Sequence, residues 1–124
     1  VQEVTGGLPI VPVPLSPVYV QGLINLRGQI ATAIGLRQLL GLPEVGILTE
    51  SKQMAVVCRL DGYLVSLLVD SIGDVLEVSD GTFEAVPSIV PASARIFLSG
   101  VFKLDSELLS LIDIQKVANE MARI

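Results

Sequence analysis

The chain has 124 residues, of which 51% are hydrophobic, and it carries a net charge of −5 with eight Lys and Arg and no His. So few cations exclude a nucleic-acid partner, because affinity for the phosphate backbone depends on clustered Lys and Arg. The lack of His removes His-dependent triads and most zinc sites. The uncharged stretches are broken by Pro and Gly before the ~20 residues that a bilayer span needs, so we expect no membrane insertion, no metal and no cofactor.

The N-terminal part of the chain is predicted to be extended, with one short helix. Residues 4–26 hold no charge and contain four prolines, which indicates loop and extended chain rather than helix. Asn25 and Gly28 suit a turn, because both accept left-handed backbone conformations. QIATAIGL at residues 29–36 is predicted to form a strand. RQLLGLP at residues 37–43 allows a short helix before a glycine and a proline end it.

The middle of the chain predicts a hairpin followed by a third strand. MAVVCRL at residues 54–60 and YLVSLLVD at residues 63–70 are joined by Asp-Gly, which supplies the positive φ of a two-residue turn. The single Cys58 lies inside the first of these runs, so we expect a buried thiol. DVLEV at residues 74–78 would place Leu76 and Val78 on one face and Val75 and Glu77 on the other, and it is predicted to add a third antiparallel strand.

A second hairpin and a helix are predicted towards the C-terminus. ARIFLSGVFKLD at residues 94–105 and ELLSLIDI at residues 107–114 form the hairpin, in which Gly100 indicates a bulge or a close backbone approach. The apolar spacing after Asp113, which can cap a helix, favours an amphipathic helix up to residue 124. Many short strands with Gly and Pro turns in a small chain predict a closed β-barrel or a pair of small barrels.

Three ordered blocks of the sequence resemble a known family. The blocks are VQGLINLRGQIATAIGLRQLLGLPE at residues 20–44, VDSIGDVLEV at residues 69–78 and LSGVFKLDSELLSLIDIQKV at residues 98–117. Together they resemble the CheW-type chemotaxis coupling proteins. The resemblance implies one CheW-like domain over residues 1–124, mainly β, with two small SH3-like five-stranded β-barrel subdomains that share a hydrophobic core.

The resemblance also implies a function without catalysis. Proteins of this kind are cytoplasmic adaptors, associated with membrane receptor arrays, that couple the cytoplasmic tip of a chemoreceptor to the regulatory domain of the chemotaxis histidine kinase CheA. Such a domain offers binding surfaces rather than reactive groups, which agrees with an apolar chain that lacks His. The alternative within the same fold is an adaptor of a twitching or gliding motility system, or a fragment of the kinase itself.

The chain departs from the family pattern at two places. Gly35 stands where the family usually has the Asp of a DLR triplet, so we expect the short helix to lack a cap or ion pair from that carboxylate. The family also usually has a strand pair upstream of the segment that matches VQEV, and nothing precedes Val1 here. The exposed sheet edge that this would leave predicts strand exchange between copies, and hence a homo-oligomer.

The resemblance implies an ion pair between Arg27 and Glu3, because the VQE and NLRG segments lie close together in the family. Arg27 is a charge inside an apolar run, and Arg is seldom buried unless a carboxylate pairs with it. The competing interpretation is a solvent-facing turn residue followed by Gly28.

Candidate interaction residues follow from the resemblance. The residues expected to bind the receptor are Val1, Glu3, Gly22, Asn25, Arg27, Ile72 and Val75. The residues expected to bind the kinase lie on one strand, where they alternate with alanines, and are Ile30, Thr32 and Ile34. Either face of this strand could be the core.

One short motif of the sequence is similar to the active-site motif of an enzyme class. LLVDS at residues 67–71 is similar to the active-site turn of retroviral-type aspartic proteases. That turn needs Gly directly after the hydroxyl residue, and Ile72 stands there instead. The sequence therefore disfavours a protease.

Overall fold

The computed structural model describes residues 3–6, 8–42, 53–60 and 62–121. These residues fall into two compact units, divided between Ile72 and Gly73. The chain is mainly β, as the sequence predicts. In the described ranges, no helix is long and apolar enough to cross a membrane.

The first unit is built on one five-stranded sheet. Its strands are β1 (Glu3–Gly6), β2 (Val20–Leu26), β3 (Gln29–Gly35), β4 (Met54–Leu60) and β5 (Tyr63–Val69). Their spatial order is β1-β4-β5-β3-β2. β3 and β5 run parallel, whereas the other neighbours are antiparallel. The β4–β5 hairpin is confirmed, with Gly62 at a φ of 86°, whereas Asp61 lies outside the described residues. Part of the predicted extended chain is the strand β2.

One buried cluster of the first unit lies on one face of this sheet, and Ile34, Val65 and Leu67 are buried on the other face. Side chains along a strand alternate between the two faces, so β2, β3, β4 and β5 each contribute two residues that are two or four positions apart. The buried cluster consists of Ile24, Leu26, Ala31, Ala33, Ala55, Val57, Leu64 and Leu68. Each larger member contributes on the order of 1.5–3 kcal/mol by leaving water. Cys58 is a buried free thiol, as predicted.

A short helix, α1 (Leu36–Leu40), follows β3 directly. Its N-terminal Gly35 makes no side-chain cap, which agrees with the missing carboxylate of the family pattern. The helix ends at Gly41, whose φ of 70° is left-handed. Arg37 holds the helix to the end of β5, because its Nε and Nη2 atoms donate to Asp70 Oδ2 at 2.7 and 2.6 Å.

The second unit contains a three-stranded antiparallel sheet. Its strands are β6 (Phe83–Glu84), β7 (Leu98–Lys103) and β8 (Leu108–Ile112), in the order β6-β7-β8. Five strands were expected, and the described part of this unit forms three. The β7–β8 hairpin is confirmed, and so is the bulge, since the register shifts between Leu98 and Gly100. Gly100 leaves room for Phe83, because a Cβ there would overlap the ring and lie 2.7 Å from the Glu84 carbonyl oxygen.

Two predictions about this part of the chain are wrong in detail. Residues 74–78 form no strand, because residues 71–79 pair with no neighbour and carry no regular structure. Apolar alternation stabilises a strand only where a sheet covers one face, and Val75 is instead 99% exposed. The first hairpin strand starts at Leu98 rather than at residue 94, because α2 (Ala92–Arg95) precedes it.

The helix α2 carries an arginine that organises the preceding loop. Arg95 Nη1 donates to the carbonyl of Val86 at 3.1 Å, and Nη2 donates to the carbonyls of Pro87 and Val90 at 2.7 and 3.3 Å. One planar cation therefore satisfies three backbone acceptors of a loop that lacks ladder hydrogen bonds.

The C-terminal helix α3 (Ile114–Met121) is confirmed, together with its cap. Asp113 Oδ1 accepts hydrogen bonds from the backbone N–H groups of Gln115 and Lys116 at 3.1 and 3.3 Å. Val117 is buried on the apolar face of the helix. Ile124, which the spacing also included, lies outside the described residues.

Candidate interaction surface

A tight turn between β2 and β3 presents Arg27 at the surface. Arg27 and Gly28 have φ values of 51° and 86°, the left-handed pair that a two-residue hairpin turn requires. Asn25 Oδ1 accepts a hydrogen bond from the Gly28 N–H at 2.9 Å. The turn predicted from Asn25 and Gly28 is confirmed, and it explains why Arg27 points away from the apolar run around it.

The predicted ion pair is present. Arg27 Nη2 lies 2.8 Å from Glu3 Oε2. Arg27 is paired with Glu3, whose side chain is 22% exposed, and Arg27 is also a solvent-facing turn residue, with a side chain that is 80% exposed. Both interpretations of Arg27 therefore hold. A pair this exposed contributes between about 0 and 1 kcal/mol, so its importance is positional. It connects β1, at one edge of the sheet, with the turn beside β2 at the other edge.

A polar recess lies beside this ion pair. We call it the two-arginine recess. Its cavity volume is about 190 Å³, and its lining consists of Glu3, Leu26, Arg27, Gln29, Arg59 and Leu64. Arg59 Nη2 donates to Gln29 Oε1 at 2.9 Å. Neither Gln29 nor Arg59 is among the interaction residues predicted from the sequence. The signal was present in MAVVCRL, where Arg59 is a lone cation in an apolar strand, as Arg27 is in its own run.

Gly22 is buried against the chain's own backbone. Val11 and Leu23 exchange two backbone hydrogen bonds of 2.8 and 2.9 Å across this position. A Cβ on Gly22 would overlap the Val11 carbonyl oxygen and lie 2.7 Å from Ile10 Cγ2. The small size of Gly22 therefore admits the segment around Val11, and a direct contact between Gly22 and a receptor stays a prediction.

The apolar residues predicted for receptor binding are exposed. Ile72 is 48% exposed and Val75 is 99% exposed. Neither is a plain core residue, which was the competing interpretation. Val1, the remaining residue of that set, lies outside the described residues.

Both faces of the strand β3 are buried towards its C-terminal end. Ala31 and Ala33 belong to the buried cluster. Of the residues predicted to bind the kinase, Ile30 is 59% exposed, Thr32 is half-buried and Ile34 is fully buried. Only the N-terminal end of this face is therefore open at the surface.

Asp70, the residue at the protease-like turn, is occupied by its ion pair with Arg37. The hydrogen bond from Arg37 lowers the pKa of the Asp70 carboxyl, an effect larger than the opposing one of desolvation. A carboxylate held in its charged form by a guanidinium differs from the proton-sharing pair of an aspartic protease. Among the described residues, no group of His, Cys, Asp and Glu is arranged to hold a metal ion.

The strand β8 carries exposed apolar side chains that the sequence analysis did not single out. It is an edge strand of the second sheet. Leu108, Leu109 and Leu111 are 51%, 38% and 45% exposed. Side chains on both faces of an edge strand are therefore available for contact.

A small β domain with an exposed ion pair, a polar recess and exposed apolar residues has the features of a module that binds other proteins. Comparison with known proteins agrees. The model of the CheW-like domain family matches residues 1–122. The chain belongs to this family.

Individual relatives carry the same family name. The chain is 31% identical over 117 residues to the chemotaxis protein CheW of Rhizobium meliloti. The aligned residues cover 94% of this chain and 74% of that protein. It is 32% identical over 102 residues to the chemotaxis protein CheW of Bacillus subtilis, covering 82% and 64%. The crystal structure of the scaffolding protein TtCheW from Thermoanaerobacter tengcongensis superposes with a TM-score of 0.77 at 25% identity, covering 90% of this chain and 75% of that one.

Proposed function

We propose that this domain is a non-catalytic adaptor that couples a chemoreceptor to the chemotaxis histidine kinase. The observation that carries the proposal is the family match over residues 1–122. The relatives are named as chemotaxis proteins, and the solved structure is described as that of a scaffolding protein. In this role the domain works on the cytoplasmic side of the membrane, at the signalling tip of the receptor bundle.

The receptor contact of the proposal centres on the exposed residues of the predicted set. Arg27 and Glu3 offer charged groups at a fixed position, because the turn and the ion pair hold them. Ile72 and Val75 offer exposed apolar side chains. The apolar face of an amphipathic receptor helix would pack against them. Asn25 and Gly22 support the same region structurally, since they shape the turn and the strand that carry Arg27.

A charge swap tests the receptor contact. The variants are Glu3→Arg, Arg27→Glu and the double variant, and their binding to a receptor tip fragment is measured by calorimetry. Both single variants should stay folded, because the pair is exposed, and each should weaken binding by about tenfold or more. Recovery in the double variant would mean that the pairing itself counts, whereas continued loss would mean that Arg27 contacts the receptor. Wild-type affinity in both single variants would contradict the proposal.

The kinase contact of the proposal uses the open end of β3. Ile30 is the exposed member of the predicted set, and Thr32 lies two residues further on the same face. Ile30→Asp should abolish capture of the kinase regulatory domain in a pull-down. Ile89→Asp is a matched control, because Ile89 is 89% exposed in the second unit. Equal loss in both variants would show a non-specific effect of the added charge.

We also propose that copies of this chain associate through a sheet edge. The exposed leucines of β8 support this, because an uncovered apolar edge strand is a template for pairing. Light scattering over a range of concentrations should show a dimer that Leu109→Lys abolishes. A strict monomer at high concentration would contradict this part of the proposal.

The same fold could serve a twitching or gliding motility system. A pull-down with the chemoreceptor tip and the chemotaxis kinase separates the two. Binding of both identifies the chemotaxis adaptor.

A further inference from the structure

We propose that the kinase-binding surface at the open end of β3 continues across β2 onto the proline-rich segment that precedes β2, and that Val11 and Leu23 bind the kinase regulatory domain. This inference rests on the proposed function and adds two residues to its kinase contact.

The strand pairing is the first argument. Val11 pairs antiparallel with Leu23, and Leu23 pairs antiparallel with Thr32 of β3. Directly paired residues of antiparallel strands share one face of a sheet, with their Cβ atoms about 5 Å apart. Val11, Leu23 and Thr32 therefore form a row on the face that also carries Ile30, two residues before Thr32. We call these four residues the outer face.

The exposure of the outer face is the second argument. Val11 is 64% exposed and Ile30 is 59% exposed, and Leu23 and Thr32 between them are half-buried. Ile10 packs against the buried cluster, so the alternation of side chains turns Val11 to the opposite side. A contiguous and mainly apolar surface of this kind indicates a contact with another protein, which a single exposed residue would not.

The charge of this part of the chain indicates the chemistry of the partner. Residues 4–26 carry no charge, and Arg27 is the only charged residue up to position 36. Charged residues are depleted at the centre of protein interfaces, so the outer face suits an uncharged apolar patch on a folded domain. An anionic membrane surface attracts clusters of Lys and Arg, which this stretch does not have. Continuity with Ile30 assigns the outer face to the kinase regulatory domain.

The prolines after Val11 favour a contact through side chains. Pro12 and Pro14 have no N–H to donate to an added strand, which disfavours pairing of a second copy along this segment. Val11 is held by two backbone hydrogen bonds with Leu23, and Ser16 Oγ donates to the carbonyl of residue 13 at 2.8 Å. A segment held in this way loses little conformational entropy when a partner packs against it.

The first test uses the wild-type chain. Its Val, Leu and Ile methyl groups are isotope-labelled, and magnetisation is transferred to them by NMR cross-saturation from the unlabelled kinase regulatory domain. We expect transfer to Val11, Leu23 and Ile30 and none to Val18, which is 77% exposed in the same segment but follows the turn at Leu15.

The outcomes of this test are distinct. Transfer to Ile30 without Val11 and Leu23 would overturn the inference and leave the proposed kinase contact in place. Transfer to none of them would overturn the proposed kinase contact as well. The same transfer from unlabelled copies of this chain, with none from the kinase domain, would assign the outer face to self-association and overturn the inference.

The second test measures affinity by calorimetry. Val11→Asp should keep the wild-type Tm, because the hydrogen bonds of Val11 use its backbone only. It should lose about tenfold or more in affinity for the kinase regulatory domain, since the contact would bury a carboxylate against apolar groups. Val11→Ala should lose less, and both variants should bind the receptor tip fragment as the wild type does.

Val18→Asp is the matched control, because it makes the same change at an exposed valine of the same segment. It should bind the kinase domain as the wild type does. Wild-type kinase affinity in Val11→Asp, or equal losses in Val11→Asp and Val18→Asp, would overturn the inference. If Ile30→Asp alone weakened binding, the proposed function would stand without it.

Discussion

Replacing Gly22 with Ala should destabilise the protein far more than the same change at Gly28. Both glycines have positive φ, 149° and 86°, so both substitutions strain the backbone by on the order of 1 kcal/mol. The two positions differ in the space available for a Cβ atom. A Cβ on Gly28 meets nothing within 4 Å, whereas one on Gly22 overlaps the Val11 carbonyl.

The magnitude follows from what Gly22→Ala displaces. Moving Val11 breaks its two hydrogen bonds to Leu23, each worth about 1 kcal/mol. With the backbone strain, the loss is about 3 kcal/mol, against about 1 kcal/mol for Gly28→Ala. At about 4 °C per kcal/mol for a chain of this size, Tm should fall by about 12 °C and about 4 °C.

Differential scanning calorimetry of the two variants and the wild type measures both shifts. Urea unfolding gives an independent free energy, and an unchanged slope would confirm that the compactness of the end states is the same. If the two variants melt within 2 or 3 °C of each other, the reasoning from the Val11 contact is refuted.

Three further predictions concern single residues. Asp70→Asn should lower Tm at neutral pH, because Arg37 lowers the pKa of the Asp70 carboxyl in the folded state; the difference from the wild type should begin to shrink as the pH falls below the unfolded-state pKa of about 3.9 and should vanish only below the lowered folded-state pKa. Ser66→Ala should raise the free energy of unfolding by about 1 kcal/mol, as chemical denaturation can measure. Ser66 Oγ is buried and makes no hydrogen bond with the described residues, so the folded wild type loses the hydration of this hydroxyl and the variant does not. Arg95→Lys should speed proteolysis of the loop before α2, because an ammonium cannot reach three carbonyls in the plane of a guanidinium; cleavage at the wild-type rate would contradict this.

Much of the fold could be predicted because its signals are local. The β4–β5 hairpin follows from an Asp-Gly dipeptide between two apolar runs, and the cap at Asp113 follows from one side chain. The strand predicted at residues 74–78 failed because alternation does not reveal whether a partner strand exists. The pairing of β3 with β5 is also absent from the local pattern.

The candidate surface was predictable only in part. Arg27 could be found because a charge in an apolar run needs an explanation, and Glu3 followed from the family resemblance. Arg59 carries the same signal, but its position beside Arg27 depends on the sheet order, which places β4 next to β1. The burial of Ile34 likewise depends on packing that alternation along one strand cannot indicate.

The parallel pairing of β3 with β5 also bears on how the chain folds. The two hairpins need only short loops to close, so they can form early. Pairing Thr32 with Val65 instead requires residues that are far apart in the sequence to meet before their hydrogen bonds form. Such a pairing raises the contact order and slows folding. We therefore expect the β2–β3 hairpin to dock onto the β4–β5 hairpin only after both hairpins have formed.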